Sequence, residues 1–317
     1  MNAAPFLVSF YSVDDYLSSL DEEHRVRYRP TIEALNTDQL PPIISPAALA
    51  VLFGYSPKFV HAMAEKNTNY YRSFTIKKGK KKREIKAPKV ALKVIQKWFG
   101  FHLAKGINFG EEVCGFVPGR SVLTAANQHV NAKWVYSVDI RDFFPSIPKG
   151  IVKEELVKLG YPDSGAAVIS NLCCFGDYLA QGSPASPVLA NLVMKEVDQK
   201  LLDIANKYNA RFTRYADDIV MSGLDDYPDE LAGSMKAVFD DSPWSLAEDK
   251  EYKSILPNRL KVHGLLVHGA KPRLTKGYRN KIRAFKHLQE AGKVKSGDLA
   301  MLNGHISYAD FIENSSN

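Results

Sequence analysis

Apolar and polar positions along this chain switch between two periods. The first 70 residues read as helical: in "SPAALAVLFGYSPKFVHAMAEK" the spacing predicts a helix from about Pro46 and a stop at Gly54. Ser56 and Pro57 then supply an N-cap and a first helical position for the next helix. From Tyr71 the period becomes two, and "YYRSFTIKKGKKKREIKAP" predicts a hairpin turning near Gly79. Helical spacing returns at Leu92, Ile95, Phe99 and Leu103, after which "KWVYSVDI", 133–140, reads as a buried strand. Helices are expected at about 148–159 and 164–175, and a longer one at about 184–208 with Leu189, Leu192, Val193, Val197 and Leu201 in one stripe. In "RFTRYADDIVMSG" two β-prone runs, Phe212 to Tyr215 and Ile219 to Met221, need a tight turn at Ala216 and Asp217. A helix near 228–240 and a strand pair around "YKSIL" and "RLKVHGLLV" follow. The tail is helical from Thr275, with Tyr278, Ile282, Phe285 and Leu288 facing inward. This order predicts an α+β domain built on an antiparallel sheet, with the first 70 residues rather separate.

Length and composition fit that picture. At 317 residues and 45% hydrophobic, the chain can bury a core spread over two or three subdomains. No apolar run approaches the roughly 18 residues of a membrane helix, and "MNAAPFLVSFYSVDDYL" has no positive leader, so a cytoplasmic protein with no membrane partner is expected. Cys114, Cys173 and Cys174 read as small buried hydrophobes rather than a disulfide or zinc framework. The net charge of +7 is modest, but its distribution is uneven. Eight Lys or Arg lie between Lys77 and Lys89 against Glu84 alone, and nine lie between Lys271 and Lys295 against Glu290. Two basic runs far apart in the chain favour a polyanionic partner.

The candidate chemistry centres on Asp217 and Asp218 at the predicted hairpin tip. An Asp pair by itself is ordinary turn chemistry. Asp139, however, ends a strand of the same predicted sheet, so three carboxylates can converge. Hard oxygen donors suit Mg²⁺. Three such acids form the ligand set for two ions about 3.5 to 4 Å apart, the arrangement that serves phosphoryl and nucleotidyl transfer.

"VDIRDFFPSI", "QGSPASPVLANL" (181–192) and "YADDIVMSG" resemble, in order, the core motifs of reverse transcriptases. Ahead of them "KKREIKAP" (81–88) and "GFVPGRSVLTAA" (115–126) resemble the family's two fingers motifs, and the likeness runs from about Tyr71 to Val267. The resemblance implies a right-hand polymerase fold: an N-terminal helical segment (1–70), fingers (71–132), an antiparallel-sheet palm (133–267, with fingers-like helices inserted at about 148–180) and a small basic helical thumb (268–317). It implies that Asp139, Asp217, Asp218 and the Ile140 carbonyl hold two Mg²⁺ ions. Lys82 and Arg83 would hold the triphosphate, Phe144 would exclude a 2′-OH, and Gln181 and Gly182 would lie against the incoming nucleotide and template. Lys253, or Lys250 in a shifted register, would protonate pyrophosphate. Arg120 is a further basic candidate.

Within the family, the short chain and "LCCFGDYLAQGSPASP" resemble bacterial retron enzymes. Their Asn-Ala-x-x-His segment corresponds to "AANQH" (125–129), where Ala125 replaces the Asn and His129 is retained. Their RNA-associated Val-Thr-Gly triplet corresponds to Val262, His263 and Gly264, and the histidine adds a stacking face for unpaired bases. These residues, with Arg279 and Arg283 on the thumb helix, are the expected RNA contacts. The implied partners are a cognate structured non-coding RNA, its DNA product, dNTPs and an effector or toxin protein. Two other readings fit the residues less completely: a diversity-generating or abortive-infection reverse transcriptase, and a non-catalytic RNA-binding protein on a polymerase fold.

Overall fold

The structure, a computed structural model, describes residues 3–79 and 81–314. Four helices open the chain: α1 (Val13–Ser18), α2 (Glu22–Thr37), α3 (Pro46–Phe53) and α4 (Pro57–Glu65). Ser45 and Ser56 accept the backbone N–H groups of Ala48 and Phe59, each followed by a proline at the first helical position, and Gly54 ends α3 at φ +65°. These helices are not separate from the rest. Trp98 donates its indole N–H to the Pro5 carbonyl (2.9 Å), Tyr161 its hydroxyl to Pro41 (3.0 Å) and Ser164 its hydroxyl to Ile44 (2.8 Å). Tyr16, Ile32 and Leu49 share one core with Trp98, Tyr161 and Ile169. Short helices bury too little apolar surface to stand alone, so this segment completes a core that later residues begin.

Strands β1 (Tyr71–Lys78) and β2 (Lys81–Pro88) pair antiparallel from Tyr71↔Pro88 to Lys78↔Lys81. Helix α5 (Val90–Gly106) buries Leu92, Ile95, Phe99 and Leu103 as its spacing predicts, and α6 (Val122–Gln128) starts in a Ser121/Thr124 capping box. Next come β3 (Trp134–Asp139), α7 (Lys149–Lys158), α8 (Asp163–Cys173), β4 (Cys174–Phe175) and β5 (Tyr178–Leu179). The expected long helix is two, α9 (Ser186–Val193) and α10 (Lys195–Lys207), broken at Met194. Leu189, Leu192, Val193, Val197 and Leu201 are nonetheless all buried.

Strands β6 (Ala210–Tyr215) and β7 (Asp218–Gly223) form the predicted hairpin, with Tyr215 facing Asp218 across the two-residue turn Ala216–Asp217. Helix α11 (Leu231–Ala237) is shorter than expected, because i to i+3 bonds at Pro228 and Ala237 tighten both ends. The segments expected as a strand pair, "YKSIL" and "RLKVHGLLV", do contain strands, but the strand of the first pairs with neither strand of the second. Instead β8 (Tyr252–Ile255) pairs with β3, giving an antiparallel sheet of order β6-β7-β3-β8. Strands β9 (Lys261–Val262), β10 (Leu265–Leu266) and β11 (Arg273–Leu274) make a second small sheet.

The tail is a pair of helices, α12 (Lys276–Glu290), capped by Thr275, and α13 (Leu299–Asn314). They are tied by Tyr278 to His305 (2.9 Å) and Lys286 to Asp310 (2.9 Å). Ile282 is buried against Val262, Leu265 and Leu274, with Tyr278 and Phe285 packed on the same cluster. Leu288, expected to face inward, is 38% exposed because it lies beyond the end of that cluster.

Candidate active site

Asp139 and Asp218 are direct partners across the β3–β7 ladder, and Asp217 occupies the adjoining turn. Ile140 donates its N–H to the Asp217 carbonyl (2.9 Å), which fixes the turn against the end of β3. Three acidic side chains therefore gather at one end of the sheet. A cavity of about 1080 Å³ opens there, lined by Asp217, Ile140 and Phe144 on one side and by Lys82, Arg83 and Gln181 on the other.

Burial, followed by the Asp217 and Asp218 carboxylates, pushes the Asp139 carboxyl up, against the pull of Lys250. Lys250 donates its ammonium to Asp139 Oδ1, and His263 Nδ1 lies 3.0 Å from Asp218 Oδ2. Among the described residues no three His, Cys, Asp or Glu side chains form a finished metal cage. The donor set still fits a hard divalent cation: three carboxylates with excess negative charge, two of them already turned toward cationic or imidazole groups of the chain itself.

The cavity's other wall comes from the basic hairpin. Gln181 accepts the Lys86 N–H (2.8 Å), binding β2 to the loop before α9. Gly182 has φ +130°, and a β-carbon there would sit 2.8 Å from the Lys86 carbonyl oxygen, so this close approach requires glycine. Lys82 is exposed and Arg83 partly exposed. Phe143 is buried while Phe144 faces the cavity beside Phe116, their ring centroids 5.9 Å apart.

Several expected residues lie elsewhere. Lys253 does not reach the acids: it sits on β8 opposite Tyr136, its ammonium 3.5 Å from the centre of the Tyr227 ring. The 3₁₀ turn Glu248–Lys250 brings Lys250 to Asp139 in its place. His129 is fully buried, bridging the hydroxyls of Ser222 (2.7 Å) and Thr213 (2.8 Å), so it cannot touch RNA. Burial, then the charges of His263 and Arg211, pushes it down to about 3 and keeps it neutral. Val262 is buried in the second cluster, and the His263 side chain, 6% exposed, packs on Asp218 and Tyr215. Of that triplet only Gly264 is exposed, while Arg279 and Arg283 are exposed on α12. Arg120 is tied to its own loop: its guanidinium donates to the carbonyls of Phe109, Gly110 and Val113 and clamps the turn between them.

Sequence reasoning missed Arg214. It is fully buried, paired with both oxygens of Asp198 on α10 (2.6 Å each), and it donates to Asn191 Oδ1 (3.0 Å) and to the Ala216 carbonyl (3.1 Å). Asn191 in turn donates to the Gly115 carbonyl (2.8 Å), and a β-carbon at Gly115 would lie 2.3 Å from Ala216 N. The aspartate-bearing turn, with Ala216 at φ +59°, is thus held from below. Strand β6 also carries Arg211 and Thr213, so its composition gave no signal that Arg214 is the buried arginine.

Comparison with known proteins identifies the family. The sequence model described as reverse transcriptase (RNA-dependent DNA polymerase) matches residues 76–244, and the chain belongs to that family. Its relatives place it among the bacterial retron-type enzymes. Over 155 residues it is 34% identical to the retron Ec86 reverse transcriptase of Escherichia coli, covering 48% of each chain. Over 256 residues it is 30% identical to the retron Ec73 reverse transcriptase of E. coli, covering 73% of this chain and 79% of that one. The retron Mx65 reverse transcriptase of Myxococcus xanthus is 28% identical over 286 residues, 84% of this chain and 67% of that one. The chain thus spans about half the length of the Ec86 enzyme and more of the other two. Among the described residues no helix is long and apolar enough to cross a membrane.

Proposed function

We propose that this chain copies a cognate structured non-coding RNA into DNA, leaving a branched, RNA-linked single-stranded DNA, and that it serves antiphage defence beside an effector protein in the cytoplasm. The observation that carries the polymerase reading is the meeting of Asp139, Asp217 and Asp218 at one sheet end, where Asp217 lines a nucleotide-sized cavity that Lys82 and Arg83 of the basic hairpin also line. The retron relatives support the choice of template and product.

In this reading, residues 71–132 are fingers, 133–267 palm and 268–317 thumb. Asp139, Asp217, Asp218 and the Ile140 carbonyl would hold two Mg²⁺ ions. When bound, such ions activate a primer hydroxyl and neutralise the triphosphate. Lys82 and Arg83 grip the phosphates of a dNTP, and Arg83 can do so with two parallel hydrogen bonds. Phe144 fills the space a 2′-OH would need. Gln181 and Gly182 support the base, and Lys250 is placed to protonate the departing pyrophosphate. Arg279 and Arg283 lie against a duplex backbone.

The test is expression of the chain with its native flanking locus, followed by RNase and a 2′,5′ debranching enzyme on the copurified nucleic acid. A discrete single-stranded DNA whose mobility changes on debranching is expected, and it disappears in the Asp217→Asn/Asp218→Asn variant. Unbranched DNA would remove the retron product from the reading, and RNA without DNA would remove the polymerase.

A further inference from the structure

A second cavity, of about 650 Å³, lies among α7, α9, α10 and the segment from α11 to Trp244, and it shares no lining residue with the first. Its floor is apolar: Ile151, Val193, Val197, Ile204, Val238 and Trp244. Its rim is acidic. Lys158 is neutralised by Glu155 (2.7 Å) and Glu196 (2.8 Å), a bridge that ties α7 to α10. This leaves Glu154, Asp203 and Asp241 against Lys200. On a chain of net charge +7, an apolar groove with an acidic rim stands out from the surfaces suited to nucleic acid.

We infer that this groove docks a segment of a protein partner that is basic along one side and apolar along the other. Two observations carry the choice of occupant. An acidic rim repels a phosphate backbone and attracts Lys and Arg, which steers the encounter and selects against other partners. The floor offers aliphatic side chains and the Trp244 ring, a surface that apolar anchor side chains fill, and the buried Trp244 indole N–H has no partner among the described residues. Because the groove uses none of the residues around Asp217, its occupant and the nucleic acid can bind together.

The probe is a fluorescein-labelled 16-residue peptide with Leu at positions spaced for one helical face and Lys elsewhere, and the control carries Glu in place of every Lys. Fluorescence polarisation with the full chain, with and without saturating primed RNA, reads the binding. Saturable binding of the Lys peptide is expected, undisturbed by primed RNA, and weakened tenfold or more in Asp203→Lys/Asp241→Lys, whose primer extension stays at the parent rate. Ile151→Glu, which alters the floor and leaves the rim intact, is expected to abolish it. Should the double variant fold poorly in a thermal melt, Asp241→Asn serves instead, with a two- to fivefold loss expected. Displacement of the peptide by primed RNA, equal binding of the Glu peptide or unchanged binding by the variants would each overturn the inference. So would a concentration-dependent dimer in sedimentation that the double variant abolishes, since the groove would then belong to a second copy of the chain.

Discussion

His263 holds its Nδ1 3.0 Å from Asp218 Oδ2, from the two-residue turn between β9 and β10. His263 and Gly264 both have positive φ, +47° and +84°, as a tight hairpin turn of this hand requires. The turn therefore sets the direction of the imidazole, and the imidazole sets one carboxylate oxygen of Asp218. Groups that orient a metal-binding carboxylate typically matter about 10- to 100-fold for metal affinity or activity. His263→Ala is expected to lower dNTP incorporation on primed RNA by about that factor and to raise the Mg²⁺ concentration needed for half-maximal rate. His263→Gln, which keeps a hydrogen-bond donor, should recover much of the loss. A Mg²⁺ titration of primer extension with the three proteins decides it, and identical curves would show that the contact orients nothing.

Lys250 and Lys253 can be separated in the same assay. Lys250 lines the cavity and donates to Asp139, whereas Lys253 rests on Tyr227. A positioned proton donor contributes about 10² to 10⁴ in rate. Lys250→Met is expected to lower kcat by about 100-fold with a smaller change in KM for dNTP, and Lys253→Met to leave kcat within a few-fold of the parent. The reverse ranking would restore Lys253 to the chemistry.

What the sequence could and could not disclose follows from the range of the forces involved. Helix caps at Ser45 and Ser56, the turn at Ala216–Asp217 and the stripe along α9 and α10 are set by neighbours within a few residues, and all were legible. So was the gathering of Asp139, Asp217 and Asp218, because strand ends and a hairpin tip of one sheet leave few other arrangements. The burial of His129 was not legible: Thr213 and Ser222 lie 84 and 93 residues away, and only the closed fold brings them to the ring. The same holds for Arg214, whose partner Asp198 sits on another element. Lys250 and Lys253 differ by one short 3₁₀ turn, which no periodicity marks.

The Arg214–Asp198 pair gives a stability prediction. Burial pushes the Asp198 carboxyl up and Arg214 draws it back, so each charge depends on the other. Removing one partner of a buried pair costs about 3 to 5 kcal/mol, because the remaining charge is left uncompensated. Asp198→Asn and Arg214→Met are each expected to lower stability by roughly that amount in urea denaturation. The double change Asp198→Leu/Arg214→Met should be less damaging than either single one. Losing Arg214 also frees the Ala216 carbonyl and so the turn that carries Asp217, and activity in Arg214→Met should fall further than stability alone explains at a temperature where the variant remains folded. Additive effects in the double variant would show that the two side chains act independently.

His129 predicts a pH dependence. Its ring is fully buried between two hydroxyls and is pushed down to about 3 by burial and neighbouring positive charge. The unfolded chain exposes an ordinary imidazole with a pKa near 6.5. Between those two values the unfolded state binds the extra proton, so stability rises with pH through the window and is fully present above about 6.5. As pH falls below about 6.5, the His129 contribution should be lost at up to about 1.4 kcal/mol per pH unit, on the order of 4 kcal/mol by pH 3. His129→Gln keeps hydrogen-bonding capacity and has no proton to gain. Urea denaturation at pH 7.5, 6.5 and 5.5 should therefore show the parent losing more stability than His129→Gln on acidification, by about 1 kcal/mol at pH 5.5. Parallel pH profiles for the two proteins would mean that the imidazole takes up its proton without leaving the fold, and that the ring is open to solvent more often than its packing suggests.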